Sequence, residues 1–278
     1  MDFDRLSAGA LEYNLYRFRK SKTLFRGPRP DLSRRFCACF GSTETFGKFV
    51  PDPFPDRLSR ALKLPVANFS SVNGGVEMVL KDPSILLAAN EAAVNVVAMT
   101  GAHNLSNRYY TVHPRRNDRF LYPSKMLMTI YHDVDFSDIH YTRHLLATLA
   151  AADIVKFGLV IEELKQAWLA RMKTLLSMME GRIVLLWMAD HAPGPATLDL
   201  GPESLFGDPL FIDQDMMDHL SPSVTRVVEV ISDNETLAQG QKDMVFSSTE
   251  AEAAASMPNA AMHQLAANTL APVLEELL

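Results

Sequence analysis

The chain has 278 residues, 47% hydrophobic and 22% charged, enough apolar material for a sizeable core in one large α/β domain or two small ones. A formal net charge of -6 and a pI of about 5.8 argue against nucleic acid as a partner. No stretch approaches the ~18 uninterrupted apolar residues of a membrane span, and the acidic opening MDFDRL has no signal-peptide core, so a soluble, cytoplasmic protein is expected.

Residues 1–34 form a basic N-terminal segment, expected to be helical, and the run Arg17, Arg19, Lys20, Lys22, Arg26, Arg29, Arg34 and Arg35 precedes the first clear strand. The first strand signal follows at Phe36–Phe40 (FCACF), where Cys37 and Cys39 are too close together for a normal disulfide. Buried, reduced thiols are expected there, in keeping with a reducing compartment. Three further apolar runs read as buried strands: Pro65–Phe69, Val94–Met99 and Ile183–Met188. Continuous rather than alternating apolar residues are what strands covered on both faces require. Val224–Ile231 is β-branched but carries Arg226 and Glu229, which suggests an edge strand.

Helical patterns lie between these runs. One spans Pro55–Leu64, and Glu77–Asn90 reads as two short helices broken at Asp82-Pro83. Tyr122–Glu180 has no strand signal and reads as an all-helical insert, including Ser137–Ala151 and Val155–Met179, suited to a cap or a homodimer surface. Ala251–Ala255 reads as a loop, and Pro258–Leu278 as a final amphipathic helix with Ser256 as its cap. Strands alternating with helices mean a mostly parallel, five-stranded sheet in a single α/β domain over 35–278, with the insert at about 122–180.

In such a sheet ligands bind beyond the carboxyl ends of the strands. The residues there are Gly41–Thr45; Ser70, Ser71, Asn73, Gly74 and Gly75; Thr100, Gly101, His103 and Asn104; Asp190 and His191; and Ser232, Asp233 and Asn234. Asp190-His191 is either a base near the site or a loop turn before Pro193. Arg115, Arg116 and Arg119 either fork onto an anion or pair with Asp118. His140 and His144 have helical metal-ligand spacing with no adjacent Glu and no third ligand, so neither a metal nor any other cofactor is expected.

Four segments, in order, are similar to the conserved blocks of the SGNH (GDSL-type) hydrolases. These are Gly41-Ser-Thr-Glu-Thr-Phe-Gly47, Asn68-Phe-Ser-Ser-Val-Asn-Gly-Gly75, Gly101-Ala-His-Asn104 and Met257-Pro-Asn-Ala-Ala-Met-His263. The whole chain also looks like a domain-of-unknown-function family of bacterial proteins, seen chiefly in marine alphaproteobacteria. The SGNH resemblance implies a three-layer, flavodoxin-like α/β fold and ester hydrolysis. It puts Thr43 in the place of the nucleophilic Ser, Ser42 in that of the Asp, Gly74 in the oxyanion block and His103 in the place of the oxyanion Asn. It also puts Met257 and Ala254 where the catalytic His and Asp belong. Neither can take a proton from a hydroxyl, so the family's standard dyad is absent.

Two functions are therefore expected from the sequence. The first is an enzyme that hydrolyses an ester, or transfers an acyl-type or sulfuryl-type group, on a polar or saccharide substrate. Ser42 or Thr43 would be its central hydroxyl, Asp190-His191 the base, and Ser71, Gly74, His103, Asn104 and the three arginines the substrate contacts. The second is a non-catalytic protein that binds a small anionic or saccharide ligand at the same strand ends. His263 matches a framework histidine of the family, which implies a structural role.

Overall fold

A computed structural model describes residues 9–195, 205 and 207–278. Five parallel strands form its sheet: β3 (Cys37–Phe40), β4 (Val66–Asn68), β5 (Val94–Ala98), β8 (Arg182–Ala189) and β9 (Arg226–Ile231), in the spatial order β4-β3-β5-β8-β9. In chain order that is 2-1-3-4-5, a doubly wound sheet as the sequence implied. Strand order reverses between β3 and β5. The edge position expected for β9 holds, and Arg226 and Glu229 are exposed on it.

Side chains alternate between two cores. Ala38, Phe40, Ala67, Val97, Leu185 and Trp187 face one side. Cys37, Cys39, Val66, Val96, Leu186 and Val228 face the other. The second core is closed by α2 (Phe54–Leu62) and the final helix α11 (Ala260–Leu277). The first is closed by α3 (Val76–Leu80), α4 (Pro83–Glu91), α6 (Thr142–Ala152) and α7 (Ile154–Met178). Both cysteines are free and buried, and burial pushes the Cys37 thiol up to about 11 and raises that of Cys39 well above its ordinary value.

Several expectations need correction. Among the described residues of the N-terminal segment there is no helix. Instead β1 (Tyr16–Arg17) and β2 (Leu24–Phe25) pair as a short hairpin, because Phe18 and Phe25 pack on Phe69 of the core. The insert starts later than Tyr122, since β7 (Phe120–Pro123) pairs with β6 (Tyr110–Val112), burying Phe120 against Tyr110. Beyond it come α5 (Lys125–Ile130), α6 and α7; α6 starts at Thr142 rather than Ser137. Ala251–Ala255 is a helical turn, α10, entered through a Ser247–Glu250 capping box. The cap of α11 is Asn259, whose side chain accepts from the Met262 amide, while Ser256 bonds back to Glu252 and Ala253.

Among the described residues no helix is long and apolar enough to cross a membrane. Arg26, one of the basic run, is 6% exposed and donates to the carbonyls of Phe46, Gly47, Val50 and Pro51. It thereby fixes the loop that follows α1 (Thr43–Phe46), the turn of helix that leaves β3.

Candidate functional site at the strand switch point

The crevice at a reversal of strand order is where a doubly wound sheet offers ligands both backbone and side-chain groups. Here it lies between the carboxyl ends of β3 and β5. β3 runs through Gly41 into Ser42, the N-cap of α1, and β5 runs through Thr100 and Gly101 to His103 and Asn104. Gly41 is required there, because a Cβ would lie 2.2 Å from the Thr45 hydroxyl and 3.1 Å from the Ala98 Cβ.

The two candidate hydroxyls have different surroundings. Thr43 is buried and its hydroxyl is committed on both sides, donating to Asn73 Oδ1 (3.1 Å) and accepting from the Asn73 amide (2.8 Å). Asn73 in turn donates to Asp118 (3.0 Å). Ser42 makes no side-chain capping bond and stands two residues before Glu44.

Glu44 is half-buried and opens a second cluster. Burial, and then the neighbouring charge of Asp208, raise its carboxyl to about 7, while Arg143 and the Ser42 hydroxyl oppose the rise. Asp208 is raised as well, by burial, against the pull of Arg143, the Leu210 amide and His191. Arg143 holds this corner together, donating to Asp208 (2.6 Å) and to the Leu205 carbonyl (2.6 Å). His103, 4% exposed, is held neutral by burial and by Arg143, and among the described residues its Nδ1 has no hydrogen-bond partner.

Asp190 and His191 form a side-chain pair at 2.6 Å at the end of β8. Trp187 fixes the turn by donating to the His191 carbonyl (2.7 Å) and meeting its ring edge-on at 5.6 Å. His191 acts on Asp208, and its ring carbon Cε1 lies 3.7 Å from the position of a Cβ on Gly207. Among the described residues no hydrogen bond joins His191 to Ser42 or Thr43.

Gly74 and Gly75 sit at the entrance of α3 with their amides occupied. Gly74 donates back to the Ser71 carbonyl (3.0 Å) and Gly75 to Asn117 Oδ1 (2.7 Å). A Cβ on Gly75 would lie 2.4 Å from the Asn104 carbonyl, so only glycine lets these two loops meet. Asn104 accepts from the Thr142 hydroxyl (2.7 Å), and the Thr142 amide donates to the Asp118 carbonyl (2.9 Å). The start of α6 is thereby docked beside the crevice, as expected of the insert.

Arg115, Arg116 and Arg119 lie on the turn between β6 and β7, which reaches the crevice through Asn117 and Asp118. Arg119 lies over the Tyr141 ring at 4.5 Å, and the amides of Arg115 and Arg116 close the turn onto His113. Burial raises the Asp118 carboxyl, and its hydrogen bond from Asn73 and the charges of Arg119 and Arg116 oppose the rise.

His263 is fully buried, accepts from the Phe54 amide (3.1 Å) and stacks on Phe54 at 6.0 Å, while burial lowers it to about 3. It is a strut between α2 and α11. Ala254 is buried on α10, and Met257 follows it without a titratable group. No group of three or more metal-binding side chains occurs among the described residues.

Sequence reasoning left three members of the site unchosen. Glu44 stood among the strand-end residues, and its spacing two after Ser42 was the available signal. Arg143 and Asp208 lie about 100 residues and more from β3, and only the docking of α6 and the turn after β8 brings them there.

Hydroxyls, raised carboxylates, a neutral imidazole and an arginine thus lie at the switch point of a doubly wound α/β sheet. The full chain, residues 1–278, matches and belongs to the family described as Domain of unknown function (DUF6473). No curated protein matches it. Solved structures similar to the chain include a carbohydrate esterase family 2 enzyme plus carbohydrate binding domain from Corynascus thermopiles (Myceliophthora fergusii), at 11% identity. That similarity has a TM-score of 0.43 and covers 92% of this chain and 70% of that one. They also include an extracellular lipase from Streptomyces rimosus (10% identity, TM-score 0.44, 88% of this chain, 100% of that one). An acetyl xylan esterase from the rumen bacterium Butyrivibrio proteoclasticus is similar at 12% identity and a TM-score of 0.41, over 91% of this chain and 66% of that one.

Proposed function

We propose that this protein is an SGNH-like enzyme that cleaves an ester, or transfers its acyl-type or sulfuryl-type group, on a polar substrate of saccharide character. The observation that carries the reading is the position of Ser42: it heads α1 at the switch point without a side-chain capping bond, while the neighbouring Thr43 hydroxyl is held by Asn73. A hydroxyl is a weak nucleophile until a base takes its proton.

The other side chains fit the role of binding polar substrate. His103 has a buried nitrogen without a partner among the described residues, Arg143 carries positive charge into the crevice, and Asn104 and Asn73 supply amides. Gly74 is not an oxyanion donor in this reading, because its amide is turned to Ser71. Ser71 and the arginines of the β6–β7 turn border the crevice rather than anchor the reacting group.

The test is turnover of short acyl esters, 4-nitrophenyl acetate and acetylated monosaccharides, by the purified protein. Ser42→Ala should abolish it and Thr43→Val should reduce it only modestly. Turnover unaffected by Ser42→Ala would overturn the assignment. No turnover with any ester, together with saturable binding of a saccharide or anion, would instead support a ligand-binding protein.

A further inference from the structure

We propose that the β1–β2 hairpin is a membrane-docking surface, which seats its outward face on anionic phospholipid. The inference goes beyond the reading of the crevice and does not depend on it. The register pairs Tyr16 with Phe25 and Arg17 with Leu24. Because side chains alternate along a strand, the two pairs face opposite ways. Tyr16 and Phe25 turn inward, their rings 6.2 Å apart, and Phe18 and Phe25 pack on Phe69. Arg17 and Leu24 turn outward, and the exposed Leu15 and Lys22 stand two residues from them on the same face. Arg19 and Lys20 are exposed at the tip.

The inner face anchors this surface to the domain. Ser21 and Thr23 are buried and alternate with Lys22 and Leu24. The Ser21 hydroxyl donates to Asp82 (2.5 Å) and accepts from the Thr23 amide (3.0 Å). The outer face is not spent on the protein itself. Arg19 pairs with Glu91 at 2.5 Å, but among the described residues Arg17, Lys20 and Lys22 form no ion pair. Arg17 donates instead to the Lys22 carbonyl across the hairpin (3.3 Å). These three cations stand beside Leu15 and Leu24, which are 47% and 41% exposed, on a chain whose net charge is -6.

Any phosphate-bearing surface attracts such cations, and the leucines decide between them. Nucleic acid would engage the lysines and arginines through its phosphates and leave Leu15 and Leu24 in water. A bilayer takes both kinds of side chain. The cations lie at the headgroup phosphates, and the apolar side chains enter the acyl boundary beneath them. Each cation close to an anionic leaflet strengthens binding about fivefold. Physiological salt screens charge over ~8 Å, so the hairpin is drawn to the surface whatever the acidity of more distant parts of the chain.

The experiment sediments the full chain with vesicles of phosphatidylcholine alone and with vesicles of equal parts phosphatidylcholine and phosphatidylserine. The protein should pellet with the second and not with the first, and added salt should release it. Replacing two cations together, Lys20→Gln with Lys22→Gln, should weaken binding roughly 25-fold. Leu24→Ser should weaken vesicle binding several-fold while leaving any retention on duplex DNA unchanged. All of these side chains are exposed, so circular dichroism melts of the variants should match wild type. No pelleting with the anionic vesicles, or the same pelleting by the double lysine variant, would overturn the proposal. Tighter binding to duplex DNA than to the vesicles, indifferent to Leu24→Ser, would overturn the lipid assignment in favour of nucleic acid.

Discussion

Arg26 carries a large part of the stability of the loop that presents Ser42. It donates to four carbonyls, at 3.3 Å (Phe46), 2.6 Å (Gly47), 2.8 Å (Val50) and 2.8 Å (Pro51), and its guanidinium lies 5.2 Å and 5.9 Å from the rings of Tyr13 and Phe46. Burial lowers its pKa, and the charges of Asp56 and Asp52 oppose that without forming a close ion pair. Removing the side chain leaves carbonyls at the end of α1 and in the next turn without donors, each costing about 1–3 kcal/mol if it stays dry. The costs do not add, since one side chain serves all four and its removal also relieves the desolvation of a buried cation. A net loss of about 3–5 kcal/mol is expected for Arg26→Ala, the scale of breaking a buried charged network. At roughly 2–4 °C per kcal/mol for a chain of this size, thermal unfolding should drop by about 6–20 °C. Arg26→Met keeps the stem and loses the donors, so it should lose most of this, and Arg26→Lys should recover part. Circular dichroism melts of the three variants decide the matter. An Arg26→Met melt within 2 °C of wild type, on the scale of scatter expected for a neutral surface change, would refute the carbonyl argument.

Two further outcomes are expected. Gly75→Ala should cost about 1–3 kcal/mol by urea unfolding, as overpacking does, because its Cβ would stand 2.4 Å from the Asn104 carbonyl; Gly240→Ala in open space should not show a contact penalty of this kind, though its positive φ of +50° adds some strain. For pH, Glu44 has a folded pKa raised from 4.5 to about 7, so its contribution to stability is full below 4.5 and is lost as pH rises through about 7. Glu44→Gln should therefore gain stability over wild type between pH 4.5 and 8, by at most roughly 3 kcal/mol and by less where water reaches the carboxylate. Comparing variant with wild type cancels His103 and His263, whose lowered values act in the opposite direction. A difference independent of pH would show that Glu44 is not raised.

The sheet was legible in the sequence because its strands are covered on both faces. FCACF and IVLLWM leave no polar position to confuse with a surface helix, and the arginine and glutamate in VTRVVEVI marked the one exposed edge. The two small hairpins were not legible. A two-residue strand such as Tyr16–Arg17 has no period to detect, and Phe120–Pro123 looks like a helix approach until Tyr110 and Phe120 are known to pack. Helix caps failed for a related reason: Ser256 and Asn259 are both good caps locally, and Pro258 between them hides which one starts the final helix. The site was half legible. Strand ends identified Ser42, Thr43, His103 and Asn104, since any parallel sheet directs them to one edge. Arg143 arrives on a helix whose docking depends on the Asn104–Thr142 and Asp118–Thr142 contacts, which no local pattern encodes.

The carboxyls near the switch point owe their raised state to elements distant in sequence: Asp208, from beyond β8, adds like charge to Glu44, and burial disfavours ionisation of both. The helical insert brings Arg143 to 2.6 Å from Asp208, and because the insert is anchored where Thr142 meets Asn104, that attachment shapes the crevice as much as the strand ends do.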